Sequence, residues 1–247
     1  MSIPHEWVVV TGGNRGIGVT ITSKLLTCGF GVIALHKTQQ KNELLEHLIQ
    51  QRADALLEYG NCNVGSEEDV QNFFHRSETG GLDLVGVVHC AGVQRKGDSI
   101  EDFRSMFETN VYGPYLMTKR FAEYRRIKFP HTIATAIFIG STSGLHGDTG
   151  NALYAASKAG LHRFVTGSLP TYADVLRMNV IICGPVGGER SNMDPDALEF
   201  HRKNTPTGRL TTPDEVAHVV AFYIKERHLN LHGSAIALDG ARTRHKI

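Results

Sequence analysis

Short apolar runs, several of them rich in β-branched residues, alternate along the chain with longer amphipathic segments. The short runs have the length of buried strands, whereas the longer segments space their apolar residues as a helix does. Strands that alternate with helices predict βαβ units, and therefore a parallel sheet. The predicted strands are residues 7–11, 31–36, 55–61, 84–90, 135–140, 178–183 and 234–239. The predicted helices are residues 16–28, 41–51, 66–75, 101–124, 151–169 and 214–226.

No internal repeat, low-complexity segment or linker interrupts this alternation. We therefore expect residues 1–247 to form one domain, with a substrate-covering loop at about residues 186–206. The predicted fold class is α/β, a doubly wound Rossmann-type fold with a seven-stranded parallel sheet flanked by helices.

The composition is that of an ordinary globular protein, with 41% hydrophobic residues and a formal net charge of +1. Such a balance gives no indication of nucleic-acid binding or of a disordered tail. The chain starts without a basic and apolar leader and has no apolar run long enough to span a membrane, so we expect a cytoplasmic protein without a membrane anchor. Its cysteines are widely spaced, which fits a reducing compartment, and its histidines form no ligand pair, so no metal site is expected.

A glycine-rich turn follows the first predicted strand, and the next helix begins inside this turn. Glycine has no Cβ, so the turn lets backbone N–H groups and the helix N-terminus approach a pyrophosphate. Its place on the first strand of a βαβ unit predicts dinucleotide binding. The candidate residues in this turn are Gly12, Asn14, Arg15, Gly16, Ile17 and Gly18.

The end of the second predicted strand distinguishes NADP from NAD. An NAD site normally ends this strand with a carboxylate on the ribose 2′-hydroxyl, whereas a 2′-phosphate favours positive charge there. No acidic residue occurs between Glu6 and Glu43, while Arg15 lies in the glycine turn and His36 and Lys37 close the strand. The sequence therefore predicts NADPH or NADP as the cofactor. The alternative is that His36 and Lys37 are loop residues that face solvent.

Candidate chemistry lies between residues 141 and 158. Tyr154 and Lys158 are four residues apart, which on a helix brings both side chains to one face. Spacing alone carries little weight, because the same spacing recurs at 115/119 and 124/128, where we interpret it as helix-surface pairs. Of the three tyrosines, only Tyr154 lies 13 residues after a hydroxyl at the end of a predicted strand. That hydroxyl belongs to Ser141.

The T-G-x-x-x-G-x-G motif at residues 11–18, Ser141 and the Tyr154-x-x-x-Lys158 pair together resemble the short-chain dehydrogenase/reductase family. The sequence looks most like its 3-oxoacyl-thioester (acyl-carrier-protein) reductase-like ketoreductases. The resemblance covers almost the whole chain, because Cys90-Ala91-Gly92 resembles the family's Asn-Ala-Gly and residues 208–217 and 238–240 resemble its C-terminal pattern.

This resemblance implies four catalytic residues. Tyr154 would be the general acid, Lys158 the cation beside it, Ser141 the hydroxyl that holds the carbonyl oxygen, and Asn110 the support of a proton-relaying water. The cation is needed because a free phenol titrates at about pH 10. Ser143 is a rival hydroxyl to Ser141. The implied cofactor contacts are Gly12, Asn14, Arg15, Gly16, Ile17, Gly18, His36, Lys37, Asn63, Val64, Ala91, Gly92, Tyr154, Lys158 and Val186.

The sequence departs from the family pattern at several positions. His89-Cys90 replaces a frequent Asn-Asn pair, and we expect altered local bonding without loss of catalysis. Asn63 replaces an Asp that would face the adenine, and Pro170 is expected to kink or break its helix beyond the catalytic turn. Residues 183–186 and Gly188 differ from the family's nicotinamide-positioning segment.

Three loops are expected to determine substrate choice, residues 93–98, 142–150 and 186–206. A basic run between residues 119 and 128 is either a solvated helix face or a docking surface for an acidic carrier protein. The resemblance implies a homo-tetramer or homo-dimer formed through residues 101–124 and 151–169. The loop side chains that could meet an anionic or polar substrate are Arg95, Lys96, His146 and Arg190.

We therefore expect an NADPH-dependent ketoreductase that reduces a ketone to a secondary alcohol. Its substrate would be a small-molecule carbonyl compound, such as a 3-oxoacyl thioester carried by CoA or a carrier protein, or another biosynthetic intermediate. One alternative is an NADP-dependent polyol or sugar alcohol dehydrogenase. An alternative of another class is a non-catalytic NADP-binding regulatory or scaffold protein, against which the intact catalytic set argues.

Overall fold

The computed structural model describes residues 6–38, 41–52, 54–147, 150–187 and 193–243. Seven strands form one sheet in the order β3-β2-β1-β4-β5-β6-β7, and all neighbouring pairs are parallel. The strands are β1 (Glu6–Thr11), β2 (Gly31–His36), β3 (Leu57–Asn61), β4 (Asp83–His89), β5 (Ala134–Ser141), β6 (Leu176–Cys183) and β7 (Ala235–Leu238).

Helices cover both faces of this sheet, and each face has its own hydrophobic core. Val9 lies in one core, with α3, α5 and α7, while Val8 and Val10 lie in the other, with α1 and α9, because side chains alternate across a strand. The helices are α1 (Gly16–Thr27), α2 (Glu43–Gln51), α3 (Glu67–Thr79), α4 (Ile100–Phe107), α5 (Gly113–Lys128), α6 (Ser143–His146), α7 (Ala152–Tyr172), α8 (Pro195–Lys203) and α9 (Pro213–Lys225).

The predicted α/β fold class is confirmed, and each predicted strand is present with ends that differ by at most two residues. The predicted helix 101–124 is wrong in one respect, because a π-helical turn at Glu108–Tyr112 separates α4 from α5. Two helices were not predicted, α6 and α8. The start of α8 does carry a sequence signal, since Asp194 caps the backbone N–H groups of residues 196 and 197 and Pro195 follows it.

Pro170 does not end α7, which continues to Tyr172. A proline removes one backbone hydrogen bond, but tertiary contacts hold the last turn in place. Tyr172 is buried in the core, and Arg126 donates to the carbonyl oxygen of Thr171 at 2.8 Å. The expected break is therefore wrong, and the turn that carries Tyr154 is continuous with the rest of the helix.

The chain reverses its direction across the sheet between β1 and β4. β2 and β3 lie on one side of β1, whereas β4 to β7 lie on the other side. The Thr11 hydroxyl joins the two strand ends, because its oxygen accepts from the backbone N–H groups of Cys90 (3.1 Å) and Ala91 (3.0 Å). In open α/β sheets ligands bind in the crevice outside such a switch point, so the fold itself locates a binding site here.

Candidate active site

A cleft of about 760 Å³ opens at this switch point. It shares lining residues with a second cleft of about 810 Å³ beside it. The first extends from the glycine turn to the ends of β5, β6 and β7, and the second extends over the ends of β2 and β3. Residues from opposite ends of the sequence thus meet in one groove. The predicted residues that line it are Gly12, Asn14, Arg15, Gly16, Ile17, His36, Lys37, Asn63, Val64, Ala91, Gly92, Ser141, Tyr154, Lys158 and Val186.

The glycine turn has a backbone that other residues would not adopt or fit. Gly12 and Gly16 have φ values of 68° and 52°, in the left-handed region that favours glycine. A Cβ at Gly18 would overlap the carbonyl oxygen of Gly12. Arg15 is the N-cap of α1 and forms no side-chain cap, so the first N–H groups of the helix face the groove without a capping side chain. This turn fits a pyrophosphate.

Positive charge surrounds the end of the groove at β2. Arg15, Lys37 and Lys41 are exposed there, and no acidic residue is among the described residues that line it. His36 is only 6% exposed, and its two ring nitrogens have no hydrogen-bond partner among the described residues. Lys41 was not among the predicted cofactor residues, because it lies five residues after His36, the last residue of β2.

Asn63 lies in the groove wall but its amide oxygen is engaged locally. The oxygen accepts from the Gly65 N–H at 3.3 Å, and the Asn63 N–H donates to the Asp69 carboxylate at 2.8 Å. The expected acceptor for adenine is thus already part of a turn.

Lys158 is buried beneath the cleft, one helical turn after Tyr154. Its Nζ donates to the carbonyl oxygen of Ile139 at 2.9 Å and lies 5.9 Å from the centre of the Tyr154 ring. Burial lowers the pKa of this ammonium below its usual value, because desolvation disfavours the charged form. The predicted spacing therefore does bring both side chains to one cleft.

Asn110 lies behind the cleft wall, in the π-helical turn, and is fully bonded there. Its Nδ2 donates to the carbonyl oxygen of Val93 (2.8 Å) and to Ser157 Oγ (2.9 Å), and its Oδ1 accepts from the Val93 N–H (2.8 Å). Ser157 in turn donates to the carbonyl oxygen of Tyr154 at 2.7 Å. These bonds make Asn110 a support for the Tyr154 turn and for the loop after β4.

Ser141 ends β5, where it pairs with Cys183 of β6. Its Oγ accepts from the Ser143 N–H at 3.2 Å, and its own N–H donates to His162 Nε2 at 3.4 Å. Burial, with Lys158 and Arg163 nearby, lowers the pKa of His162 to about 4, so its ring is neutral. His162 was missed from the sequence, because its contact with Ser141 depends on the packing of α7 under the strand end.

Three residues near the cleft were uncertain from the sequence. Burial raises the pKa of Cys90 to about 11 and that of Cys183 to about 12, so both thiols stay protonated and unreactive. His89 forms a local side-chain bond, since its Nε2 lies 3.1 Å from Thr118 Oγ1. Gly188 and Arg190 of the expected substrate loop lie outside the described residues.

The basic run on α5 is largely paired with carboxylates. Arg125 is 1% exposed and donates to Asp83 at 2.7 Å, and Arg126 donates to Asp174 at 2.7 Å. The interpretation of this run as a solvated face is therefore wrong for Arg125. Tyr124 is also buried, with its hydroxyl donating to the carbonyl oxygen of Leu82, so the 124/128 pair is not a surface pair.

Within the described ranges, no cluster of three or more His, Cys, Asp or Glu side chains is arranged to hold a metal ion. In the same ranges, no helix has the length and apolarity needed to cross a membrane.

Comparisons with known proteins cover nearly the whole chain. The profile of a family described as enoyl-(acyl carrier protein) reductase matches residues 12–242. A Homo sapiens protein described as 3-oxoacyl-[acyl-carrier-protein] reductase is 30% identical in an alignment of 243 positions that covers 94% of this chain and 95% of the relative.

Solved structures share the fold at lower sequence identity. ElxO with NADP bound has a TM-score of 0.86 and 21% identity, over 97% of this chain and 99% of that one. A short-chain dehydrogenase from Leptospira borgpetersenii with bound NAD+ has a TM-score of 0.85 and 21% identity, over 98% of this chain and 94% of that one. The profile match and the near-full-length human relative decide the assignment: this chain belongs to the short-chain dehydrogenase/reductase family and is an oxidoreductase.

Proposed function

We propose that this protein is an NADPH-dependent ketoreductase, which reduces the ketone of a small molecule to a secondary alcohol. One observation carries the proposal: Ser141, Tyr154 and Lys158 line a single cleft into which the glycine turn also opens. A hydroxyl, a phenol and an ammonium around one space supply a hydrogen-bond donor for a carbonyl oxygen, a proton source and a positive charge.

Bound NADPH would supply the hydride to the carbonyl carbon. Tyr154 would donate its phenolic proton to the carbonyl oxygen, and Ser141 would donate a hydrogen bond to the same oxygen. The Ser141 hydroxyl is suited to donate, because its oxygen already accepts from the Ser143 N–H. Lys158 would stabilise the phenolate left on Tyr154, and this negative charge would in turn offset the desolvation of the ammonium.

Asn110 would act through the backbone. Its amide holds Ser157, and Ser157 holds the carbonyl oxygen of Tyr154, so the phenol is positioned relative to the loop after β4. This role differs from the expected one, in which Asn110 supports a water directly. Both N–H groups of the Asn110 amide already donate to protein atoms.

The substrate we propose is a 3-oxoacyl thioester or a related biosynthetic ketone, bound to CoA or to a carrier. The human relative described as a 3-oxoacyl-[acyl-carrier-protein] reductase supports this choice. Oxidation of a polyol or sugar alcohol would use the same residues in reverse, so a test of function must run in both directions.

The test follows NADPH absorbance with a panel of oxoacyl thioesters, quinones, sugars and cyclic ketones, and NADP+ reduction with polyols. We expect turnover of at least one ketone. Tyr154→Phe should lower kcat by about 10²- to 10⁴-fold, because it removes the general acid, while the Kd for NADPH stays within about twofold. Cofactor binding without turnover of any panel member would contradict the proposal.

We propose NADPH rather than NADH as the cofactor, since Arg15, Lys37 and Lys41 surround a part of the groove without acidic residues among those described. Arg15→Ala should raise the Kd for NADPH by on the order of tenfold, the effect of losing one charge-assisted phosphate contact. The Kd for NADH should not change. Arg52→Ala is the control, because Arg52 pairs with Asp54 away from the groove. An unchanged preference in Arg15→Ala would contradict the assignment.

We also propose a homo-dimer or homo-tetramer located in the cytoplasm. Exposed apolar side chains along α4 and the start of α5 support self-association, among them Ile100 and Phe103. The four cysteines are all free, which supports a reducing compartment.

A further inference from the structure

The turn after β7 is built to hold one arginine at the wall of the cleft. The buried carboxylate of Asp239 accepts from the backbone N–H groups of Ala241 (3.0 Å) and Thr243 (2.9 Å) and from the Thr243 hydroxyl (2.6 Å). Gly184, just after β6, packs against the same residue, because a Cβ there would lie 3.0 Å from Asp239 Cα. The turn is thereby fixed to the strand end that borders the cleft.

The backbone of this turn is strained at one residue. Ala241 has a φ of 67° and is the only non-glycine residue with a positive φ in the described part of the chain. Such strain persists where surrounding bonds impose it, and it is concentrated at binding and catalytic sites. Here the bonds to Asp239 impose it, and the next two residues, Arg242 and Thr243, line the cleft.

Among the described residues, one hydrogen bond orients the guanidinium of Arg242 and no carboxylate neutralises it. In this part of the chain one of its five N–H donors is used, in a bond from Nη1 to the carbonyl oxygen of His201 at 3.3 Å. Arg242 has no ion-pair partner among the described residues. No acidic side chain is among the described residues that line the cleft, so none of these residues competes for this charge.

Arg242 lies at the opposite end of the cleft from the glycine turn that fits the pyrophosphate. It follows β7, which is four strands away from β1 in the sheet. At about 4.8 Å between neighbouring strands, the separation is roughly 19 Å. Arg242 contacts His201 at the end of the cleft lined by the segment around α8, which also includes Met193.

We propose that Arg242 binds a carboxylate of the substrate, so that the ketone reduced in this cleft belongs to an oxo acid. This inference rests on the proposed ketoreductase function. Among the biosynthetic ketones considered there, it favours a free oxo acid over an acyl thioester, whose carboxyl group is esterified and carries no charge. A guanidinium matches a carboxylate in two parallel hydrogen bonds. A neutral ketone would leave this charge in the cleft wall without a partner.

The test is calorimetric titration of the enzyme–NADP+ complex with pyruvate, acetoacetate and levulinate, each compared with its primary amide. The three acids place the carboxylate at increasing distances from the ketone, and each amide removes the charge with little change of shape. At least one acid should bind tenfold or more tightly than its amide, as expected for a charge-assisted pair. Arg242→Gln should abolish that ratio, Arg242→Lys should retain part of it, and the Kd for NADP+ should stay unchanged in both.

Arg202→Gln is the matched control, because it removes a positive charge from α8 at a side chain that pairs with Glu199 and does not line the cleft. It should leave the acid-to-amide ratio intact. Equal binding of acid and amide for all three pairs, or no binding of any acid, would overturn the inference, as would an unchanged ratio in Arg242→Gln. If neutral ketones are reduced and acids bind no more tightly than their amides, the inference about Arg242 fails and the proposed function is retained. Acids that bind through Arg242 without any ketone being reduced would contradict only that function.

Discussion

His89 shows how burial sets the charge of a single residue in this protein. Its ring stacks on Phe138 with 4.4 Å between the centroids, and burial lowers its pKa to about 3. In the unfolded chain an imidazole titrates at about 6.5, so the unfolded state binds a proton that the folded state excludes as the pH falls below that value. The folded state should therefore lose stability between about pH 6.5 and pH 3.

Replacement of His89 should reduce this loss. Between pH 7 and pH 5, the depressed pKa costs the wild type about 2 kcal/mol of unfolding free energy. His89→Asn should be less stable at pH 7 but should lose about 2 kcal/mol less over the same interval. Urea unfolding at both pH values measures this difference. His47→Asn is the control, since His47 is exposed on α2, and an equal pH dependence in His89→Asn and wild type would contradict the expectation.

Ser141 and Ser143 differ in what holds them, and this difference predicts their kinetics. Ser141 ends a strand that pairs with β6, whereas Ser143 begins the one-turn helix α6. Ser143 contributes its backbone N–H to Ser141 Oγ, and this contact is independent of its side chain. Ser143→Ala should therefore keep most of the kcat/KM for the best ketone, while Ser141→Ala should lose on the order of 10²-fold or more. Steady-state kinetics on both variants would show the assignment reversed if Ser143→Ala were the inactive one.

Residues whose role depends on contacts between distant segments could not be identified from the sequence. Tyr154, Lys158 and Ser141 were found because their spacing on a helix and a strand end is local. His162 and Arg242 were not, since His162 meets Ser141 across the packing of α7 on β5, and Arg242 reaches the cleft through a turn fixed by Asp239. Local spacing predicts which side chains share a face, and packing decides which of them meet.

Among the elements, α9 has the clearest start and gives a direct stability prediction. Thr212 Oγ1 accepts from the Glu215 N–H at 3.3 Å, and the Glu215 carboxylate accepts from the Thr212 N–H at 2.8 Å, a reciprocal cap. Thr212→Ala should lower the unfolding free energy by about 1 kcal/mol and the Tm by about 2–4 °C. Thr166→Ala is the control, because Thr166 lies on the exposed face of α7 and caps no helix. Equal Tm values for the two variants would contradict a role for the cap.

Most elements with local sequence signals were predicted, with α8 as an exception, whereas the π-helical turn, which depends on tertiary bonds, was not. Strands with buried apolar runs, such as β1 and β5, stand out because every residue except one end residue is buried. The π-helical turn at Glu108–Tyr112 does not, because the bonds of Asn110 to Val93 and Ser157 are long-range. A turn with i→i+5 bonds is rare and is often found at functional sites. Its presence here fits a helix that is distorted to place one amide.

At the scale of the whole molecule, the sheet order brings together residues from 12 to 243, because the carboxyl ends of parallel strands share one edge. Alternating strands and helices predicted this edge from the sequence. The alternation of strands and helices does not predict which apolar side chains remain exposed on the surface. Ile100 is 73% exposed and Phe103 is 43% exposed on α4, and two tyrosines nearby, Tyr112 and Tyr115, are also exposed.

Ile100 and Phe103 are three residues apart on α4 and therefore share one face of the helix. Two large exposed apolar side chains on one face predict self-association. Sedimentation equilibrium should give a mass of at least twice the 27.2 kDa of one chain. A variant with Ile100→Lys and Phe103→Lys should have at most half the wild-type mass, because the face would then bury two like charges for every copy. Phe200→Lys is the matched control, since Phe200 is 58% exposed on α8, a separate element. A monomeric wild type, or a double variant with the wild-type mass, would contradict an interface on α4.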